Sequence, residues 1–417
     1  MTASANAARR SGSGFRADHV LVCGRETYPP RMPANGRSTR VRRPVSCAWR
    51  GAAARREALS QRPSLSPLLK PDGPPVRRWL RIVRGIVFEI AVFLAITALS
   101  PFLFGVAAIV DSVLWLRHRK PWMSVRIVML VWWFLFGELR GLVGLFGVWL
   151  RAGGPWARDS ATRRRRTYRL QVNWAAGHIA GVCRICRVSF DVEGDELVGR
   201  GPVIVLARHA SVVDNGLPAM LVSRPHGLDL RYVLKSELQA LPTLDIGARW
   251  VPTTFVHRRS EDPAREIDRV RTLAKGLDGE RDGVLIFPEG TRFTRRKLAA
   301  LQAEAKSPEH AARLAGLRHL LPPRPGGPVA LLDEAPNAAV VVCGHVGLDD
   351  FHDLREVWSG GLIGRRVQVR FWRHERAELP RDREELIGWL FERWQALDDW
   401  VEEERFGLAS HGVPVEA

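Results

Sequence analysis

Two apolar runs set close together constrain this chain more than any other feature. Residues 85–116 contain Ile86-Val-Phe, Ala91-Val-Phe-Leu-Ala-Ile-Thr-Ala-Leu and Pro101-Phe-Leu-Phe-Gly-Val-Ala-Ala-Ile-Val, with only Glu89 and Asp111 as charges. Such a run exceeds the roughly 20 residues needed to cross a hydrocarbon layer. It is too long and too far inside the chain for a cleavable signal peptide. The second run, residues 125–150, includes Val128-Met-Leu-Val-Trp-Trp-Phe-Leu-Phe but carries Glu138 and Arg140 near its middle. Charges there are costly in lipid unless paired or interfacial, so this segment is expected to bend, re-enter or lie among headgroups. Arg77, Arg78, Arg81 and Arg84 precede the pair, and Arg151, Arg158 and residues 163–166 follow it. Basic flanks place both ends on the cytoplasmic side, and the basic loop 117–120 favours a shallow or re-entrant hairpin.

The remainder divides by composition. Residues 1–80 are rich in Arg, Ala, Ser, Pro and Gly without a sustained apolar period, and are expected to form a disordered basic leader rather than an organellar targeting segment. The hairpin is assigned to residues 81–155, the main folded domain to 156–405 and a flexible tail to 406–417. Net charge is +19, from 63 Lys and Arg against 44 Asp and Glu, which calls for anionic partners such as lipid, phosphorylated metabolites or nucleic acid. The five cysteines are odd in number and scattered, which argues against a disulfide scaffold and fits a reducing compartment. Cys183 and Cys186 have metal-like spacing, but no matching pair follows, and ordinary packing is the expectation.

From residue 188 onward the pattern alternates. Strands are expected at 188–192, 202–207, 230–234, 250–256, 283–287, 338–343 and 366–372, with helices between them, including 170–186, 262–277 and 295–314. The fold class is therefore α/β, a mixed sheet flanked by helices, preceded by the helical hairpin and the leader. Ligands in such sheets collect where loops leave strand ends.

Two motifs lie at such ends. Arg208-His-Ala-Ser-Val-Val-Asp214 follows an apolar strand, and a carboxylate on one imidazole nitrogen leaves the other free to accept a proton. Ser211 is too close in sequence to His209 to serve as its nucleophile, so the pair suits direct deprotonation of a substrate hydroxyl. In Phe287-Pro-Glu-Gly-Thr-Arg292, Gly290 permits close backbone approach, Thr291 and Arg292 can hydrogen-bond phosphate, and Glu289 can orient Arg292 or a substrate hydroxyl. His345 and His352 lack convincing metal spacing and read as packing or surface residues. Trp389, Trp394 and Trp400 read as core or membrane-surface contacts.

These motifs resemble those of the glycerolipid acyltransferases of the lysophosphatidic acid acyltransferase type (1-acyl-sn-glycerol-3-phosphate acyltransferases). His209, Ser211 and Asp214 match one block and residues 287–292 match another without change. Leu234-Lys-Ser-Glu-Leu238 with Phe255-Val-His-Arg258 is similar to an intervening block, and residues 317–327 to a later one shared with lysocardiolipin-type members. Arg208 departs from the usual asparagine and His257 from the usual acidic residue. The resemblance implies an acyltransferase-like fold and a membrane-bound enzyme moving a fatty acyl group to a lysophospholipid. The acceptor it favours is 1-acyl-glycerol-3-phosphate, giving phosphatidic acid; lysocardiolipin or lysophosphatidylinositol are the alternative acceptors. In this reading His209 and Asp214 are catalytic, while Lys235, Arg258, Glu289, Gly290, Thr291, Arg292 and Arg324 bind substrate. No metal or cofactor is expected; acyl-CoA or an acyl carrier protein is the co-substrate, and the catalytic domain faces the cytoplasm.

A competing class is a non-catalytic basic membrane or nucleic-acid binding protein. Its charge runs lack interleaved aromatics and no nucleic-acid module is recognised, so nucleic acid is not an expected partner.

Overall fold

A computed structural model describes residues 75–156, 161–256, 262–305, 307–349 and 357–410. Within them the short apolar segments form seven strands: β1 (Ser189–Glu193), β2 (Val203–Ala207), β3 (Asp229–Lys235), β4 (Thr253–Val256), β5 (Asp282–Ile286), β6 (Ala339–Val346) and β7 (Arg366–His374). Each falls within a few residues of a strand expected from the sequence. They pair into one sheet of order β1-β7-β6-β2-β5-β3-β4. β6, β2, β5, β3 and β4 run parallel, β7 is antiparallel to β6, and β1 is parallel to β7, so the sheet is mixed.

β2, β5 and β6 are buried along their whole length, as parallel strands covered on both faces must be. Alternate side chains then serve two cores. Ile204, Leu206, Val284, Ile286, Val340 and Val342 face one core, completed by α4 (Pro263–Ala274), α7 (Gly326–Glu334) and α8 (Arg383–Ser410). Trp394 of α8 is fully buried there, and its ring N–H donates to Leu321 O at 3.0 Å. Val203, Val205, Leu285 and Val341 face the other core, against Ala176, Ile179 and Cys186 of α3 (Ala161–Cys186). The helix expected at 295–314 is two, α5 (Arg295–Ala303) and α6 (Pro308–Ala315); Pro308 suits a first helical turn, where its missing N–H is not needed.

The two apolar runs become α1 (Pro75–His118) and α2 (Ser124–Arg151), each long and apolar enough to cross a membrane. At 1.5 Å per residue, the 44 residues of α1 span about 66 Å, well beyond a hydrocarbon core of about 30 Å. Phe88, Phe102 and Leu116 are each 68% exposed, an apolar surface of a kind that water does not favour. Asp111 accepts from the N–H groups of Ser124 and Val125, both at 2.9 Å, which satisfies orphan amides at the start of α2 and closes the hairpin. Glu138 is fully buried and lies 3.3 Å from His178 Nε2, so the charge that disfavoured an apolar span has a partner on α3.

The hairpin is fixed to the α/β domain by charge. Arg78 and Arg81 of α1 reach buried Asp245 of the short helix Pro242–Gly247 at 2.7 and 2.6 Å. Two boundaries differ from expectation. α1 begins at Pro75 rather than near 81, and α8 continues past residue 405 to Ser410, carrying into the proposed tail. Residues 1–74 of the leader and 411–417 of the tail lie outside the described residues.

Candidate active site

The carboxyl ends of β2, β5, β3 and β4 line up at one end of the sheet, the edge that these strand ends form, and there β2, β3 and β5 present His209, Asp214, Lys235 and residues 289–292. His209 follows β2 by two residues and is 6% exposed. Its Nδ1 lies 3.3 Å from Asp214 Oδ2, and the same oxygen accepts from Ala210 N at 2.6 Å and Ser211 N at 2.7 Å. Two main-chain amides thus hold the carboxylate beneath the ring. The Phe287 ring stacks on His209 with centroids 4.4 Å apart. Burial would raise the Asp214 carboxyl, but His345 and His209, facing it, hold it far below the usual carboxylate range. Asp214 is therefore a carboxylate at neutral pH, as the orienting role requires. Ser211 Oγ accepts from Val213 N at 2.9 Å, which binds the hydroxyl into the turn instead of presenting it as a nucleophile.

The turn after β5 lies alongside. Gly290 has φ +68°, in the left-handed region, and a Cβ there would meet Arg324 Cδ and Nε at 3.2 Å. Arg324 N donates to Pro288 O at 2.8 Å, so the exposed Arg324 side chain lies directly over the Gly290 backbone. Lys297 Nζ lies 3.2 Å from Thr291 Oγ1 and donates to Arg292 O at 2.7 Å. The turn thus gathers Arg292, Arg324 and Lys297. Lys297 escaped the sequence reading because it sits on α5, outside the motif.

Glu289, expected to orient Arg292 or a substrate hydroxyl, is instead bonded to the main chain. It is 2% exposed, with Oε1 accepting from His209 N at 2.8 Å and Oε2 from Leu321 N at 3.0 Å. Both oxygens accept main-chain amides, so Glu289 ties three loops together. Burial pushes its carboxyl up to about 8, against those two hydrogen bonds and Arg208.

Lys235 sits at the end of β3 and pairs with Glu237 on its own turn at 2.7 Å, on the same sheet edge. Arg258, expected to hold phosphate, lies outside the described residues, as does His257.

Arg208, the departure noted in the first motif, is fully buried. It donates to His345 O at 2.5 Å and His319 O at 2.9 Å, and forms an ion pair with Asp349. Burial would raise the Asp349 carboxyl, but Arg208, His345 and Arg405 bring it down to about 2. A second unexpected neighbour is His345, 2% exposed on β6, whose Nε2 is 3.4 Å from Asp214 Oδ1.

Residues 189–322 match the family model described as Acyltransferase. The chain is 28% identical over 227 residues to the 1-acyl-sn-glycerol-3-phosphate acyltransferase epsilon of Mus musculus, an alignment covering 49% of this chain and 58% of that protein. Among solved structures it is similar to the 1-acyl-sn-glycerophosphate (LPA) acyltransferase PlsC from Thermotoga maritima, with TM-score 0.43 and 16% identity, covering 67% of this chain and 97% of that one.

Proposed function

We propose that this chain, whose residues 189–322 match the acyltransferase family model, moves a fatty acyl group from a thioester to the free hydroxyl of a lysophospholipid. The observation that carries this reading is the buried His209 on Asp214 at a strand end, beside a turn gathering cationic side chains. In the proposed reaction His209 Nε2 takes the proton of the acceptor hydroxyl as its oxygen attacks the thioester carbonyl. The tetrahedral intermediate collapses with loss of thiolate, which takes up the proton from the imidazolium. Asp214 holds the tautomer in which Nδ1 carries hydrogen and stabilises the imidazolium.

Arg292 and Arg324 bind the acceptor phosphate, Arg supplying a forked donor set suited to phosphate oxygens. Lys297 supports that turn and Lys235 extends the positive edge; a phosphate-binding role for Arg258 follows from the motif resemblance alone. The acceptor we favour is 1-acyl-glycerol-3-phosphate, giving phosphatidic acid, in keeping with the activity named for the mouse relative. Acyl-CoA is the donor of choice, its phosphates suiting the same basic edge. α1 and α2 hold the domain at a membrane with its sheet edge on the cytoplasmic side, where the basic residues flanking the hairpin meet anionic lipid.

The test is an assay of membranes containing the full chain, supplied with labelled acyl-CoA and lysophosphatidic acid beside other lysolipids. Preferential labelling of phosphatidic acid supports the proposal. Labelling of a different lysolipid moves the acceptor, and no labelling of any lysolipid overturns the activity.

A further inference from the structure

We propose that His345 is a positioning residue that acts on His209 through the second oxygen of Asp214. The inference rests on the acyl-transfer reading, in which His209 is the base, and adds a group outside both sequence motifs. The register of β6 on β2 aligns Cys343 with Ala207, so His345 lies just beyond, on the same face of β6 as Cys343 and beside the turn carrying His209 and Asp214. The carboxylate is divided between two imidazoles. Oδ2 takes His209 Nδ1 and the amides of Ala210 and Ser211, whereas Oδ1 faces His345 Nε2 at 3.4 Å. Oδ1 and both ring nitrogens of His345 have no hydrogen-bond partner among the described residues, and the 3.4 Å approach of Nε2 to Oδ1 is the one polar contact between them. A buried carboxylate oxygen and a buried imidazole, each otherwise unsatisfied, are costly separately and favourable together.

The surroundings hold His345 at this post. Its carbonyl accepts from Arg208 Nη1 at 2.5 Å, which pins the end of β6. The charged and titratable groups around it are Asp214 and His209 from the turn after β2, Arg208 ahead of that turn, Cys343 on its own strand and Asp349 beyond β6. Arg405 of α8 approaches Asp349 at 3.9 Å, and Glu289 acts on this group through Arg208 and Asp214. An N–H donated from Nε2 to Oδ1 draws negative charge off the carboxylate and fixes its rotation. Without that donor, more of the Asp214 charge bears on His209, which then keeps a proton to higher pH, while the unpinned carboxylate aligns the base less well.

The experiment compares pH profiles of kcat/KM in the full membrane-bound chain for the parent, H345M and H345Q, with thermal unfolding of each. H345M removes the donor at similar length, and H345Q keeps an amide N–H. For H345M we expect the acidic limb to move up by about half a pH unit or more and kcat to fall by about tenfold, with KM for the acceptor unchanged. H345Q should keep the parent limb and rate. An unmoved limb and parental rate in H345M overturn the proposal. Should H345M fail to fold, a displaced limb in H345Q overturns it alone.

A parent chain that acylates no lysolipid sinks the acyl-transfer reading instead. Carbethoxylation of His209 by diethyl pyrocarbonate, followed across pH by mass spectrometry, then tests the coupling without turnover. An upward shift of its midpoint in H345M, absent in H345Q, supports the proposal, and identical midpoints in all three proteins overturn it.

Discussion

Glu289 accepts the main-chain N–H of His209 at 2.8 Å, so the second motif physically holds the first. The carboxyl titrates near 8 in the fold because of its burial, against an ordinary value of 4.5. Its proton is retained in the folded chain and lost in the unfolded one between those values, so this group makes stability fall as pH rises from about 4.5 to about 8. Thermal unfolding across that window should show the decline. E289Q should flatten it while lowering stability overall, because one of its two positions then presents an amide donor to a main-chain N–H.

Arg208 and Asp349 form a buried ion pair that fastens the start of the loop carrying His209 to the segment beyond β6. Removing one partner strands a charge in the interior. R208M should therefore cost about 3–5 kcal/mol, measured by denaturant unfolding in detergent, whereas a paired R208M/D349L replacement should recover a large part of that loss.

Gly290 combines a left-handed backbone with a close approach to Arg324. G290A should cost about 1–2 kcal/mol from the backbone alone and push the Arg324 side chain off the turn. Steady-state kinetics should show a raised KM for the phosphorylated acceptor with a smaller change in kcat.

Asp214 is held by two amides whether or not it carries charge, so D214N should fold. The amide cannot support the imidazolium as a carboxylate does. We expect kcat to fall by about 100-fold or more, with KM near that of the parent.

Much of this architecture was legible because burial writes itself into composition. Val203-Ile-Val-Leu-Ala and Ala339-Val-Val-Val-Cys are continuous apolar runs, and a strand buried on both faces requires such a run. His209 and Asp214 were legible for the same reason, since a strand of known end fixes the turn that follows. His345 was not. It meets Asp214 only because β6 lies beside β2, a pairing between segments more than 130 residues apart that no local pattern encodes. Glu289 was read from its motif as orienting Arg292 or a substrate hydroxyl, and its main-chain partners were hidden because they depend on where residue 321 returns. Arg208 was recognised as a departure, and its partner Asp349 had no signal beyond being one acidic residue among 44.

The most direct measurement is single-turnover acyl transfer by purified H209A in lipid, beside equilibrium binding of the lysophospholipid. A general base in this position predicts a rate lower by roughly 100-fold to 10,000-fold with acceptor affinity retained. Turnover at the parent rate would remove His209 from the chemistry and contradict the proposed mechanism.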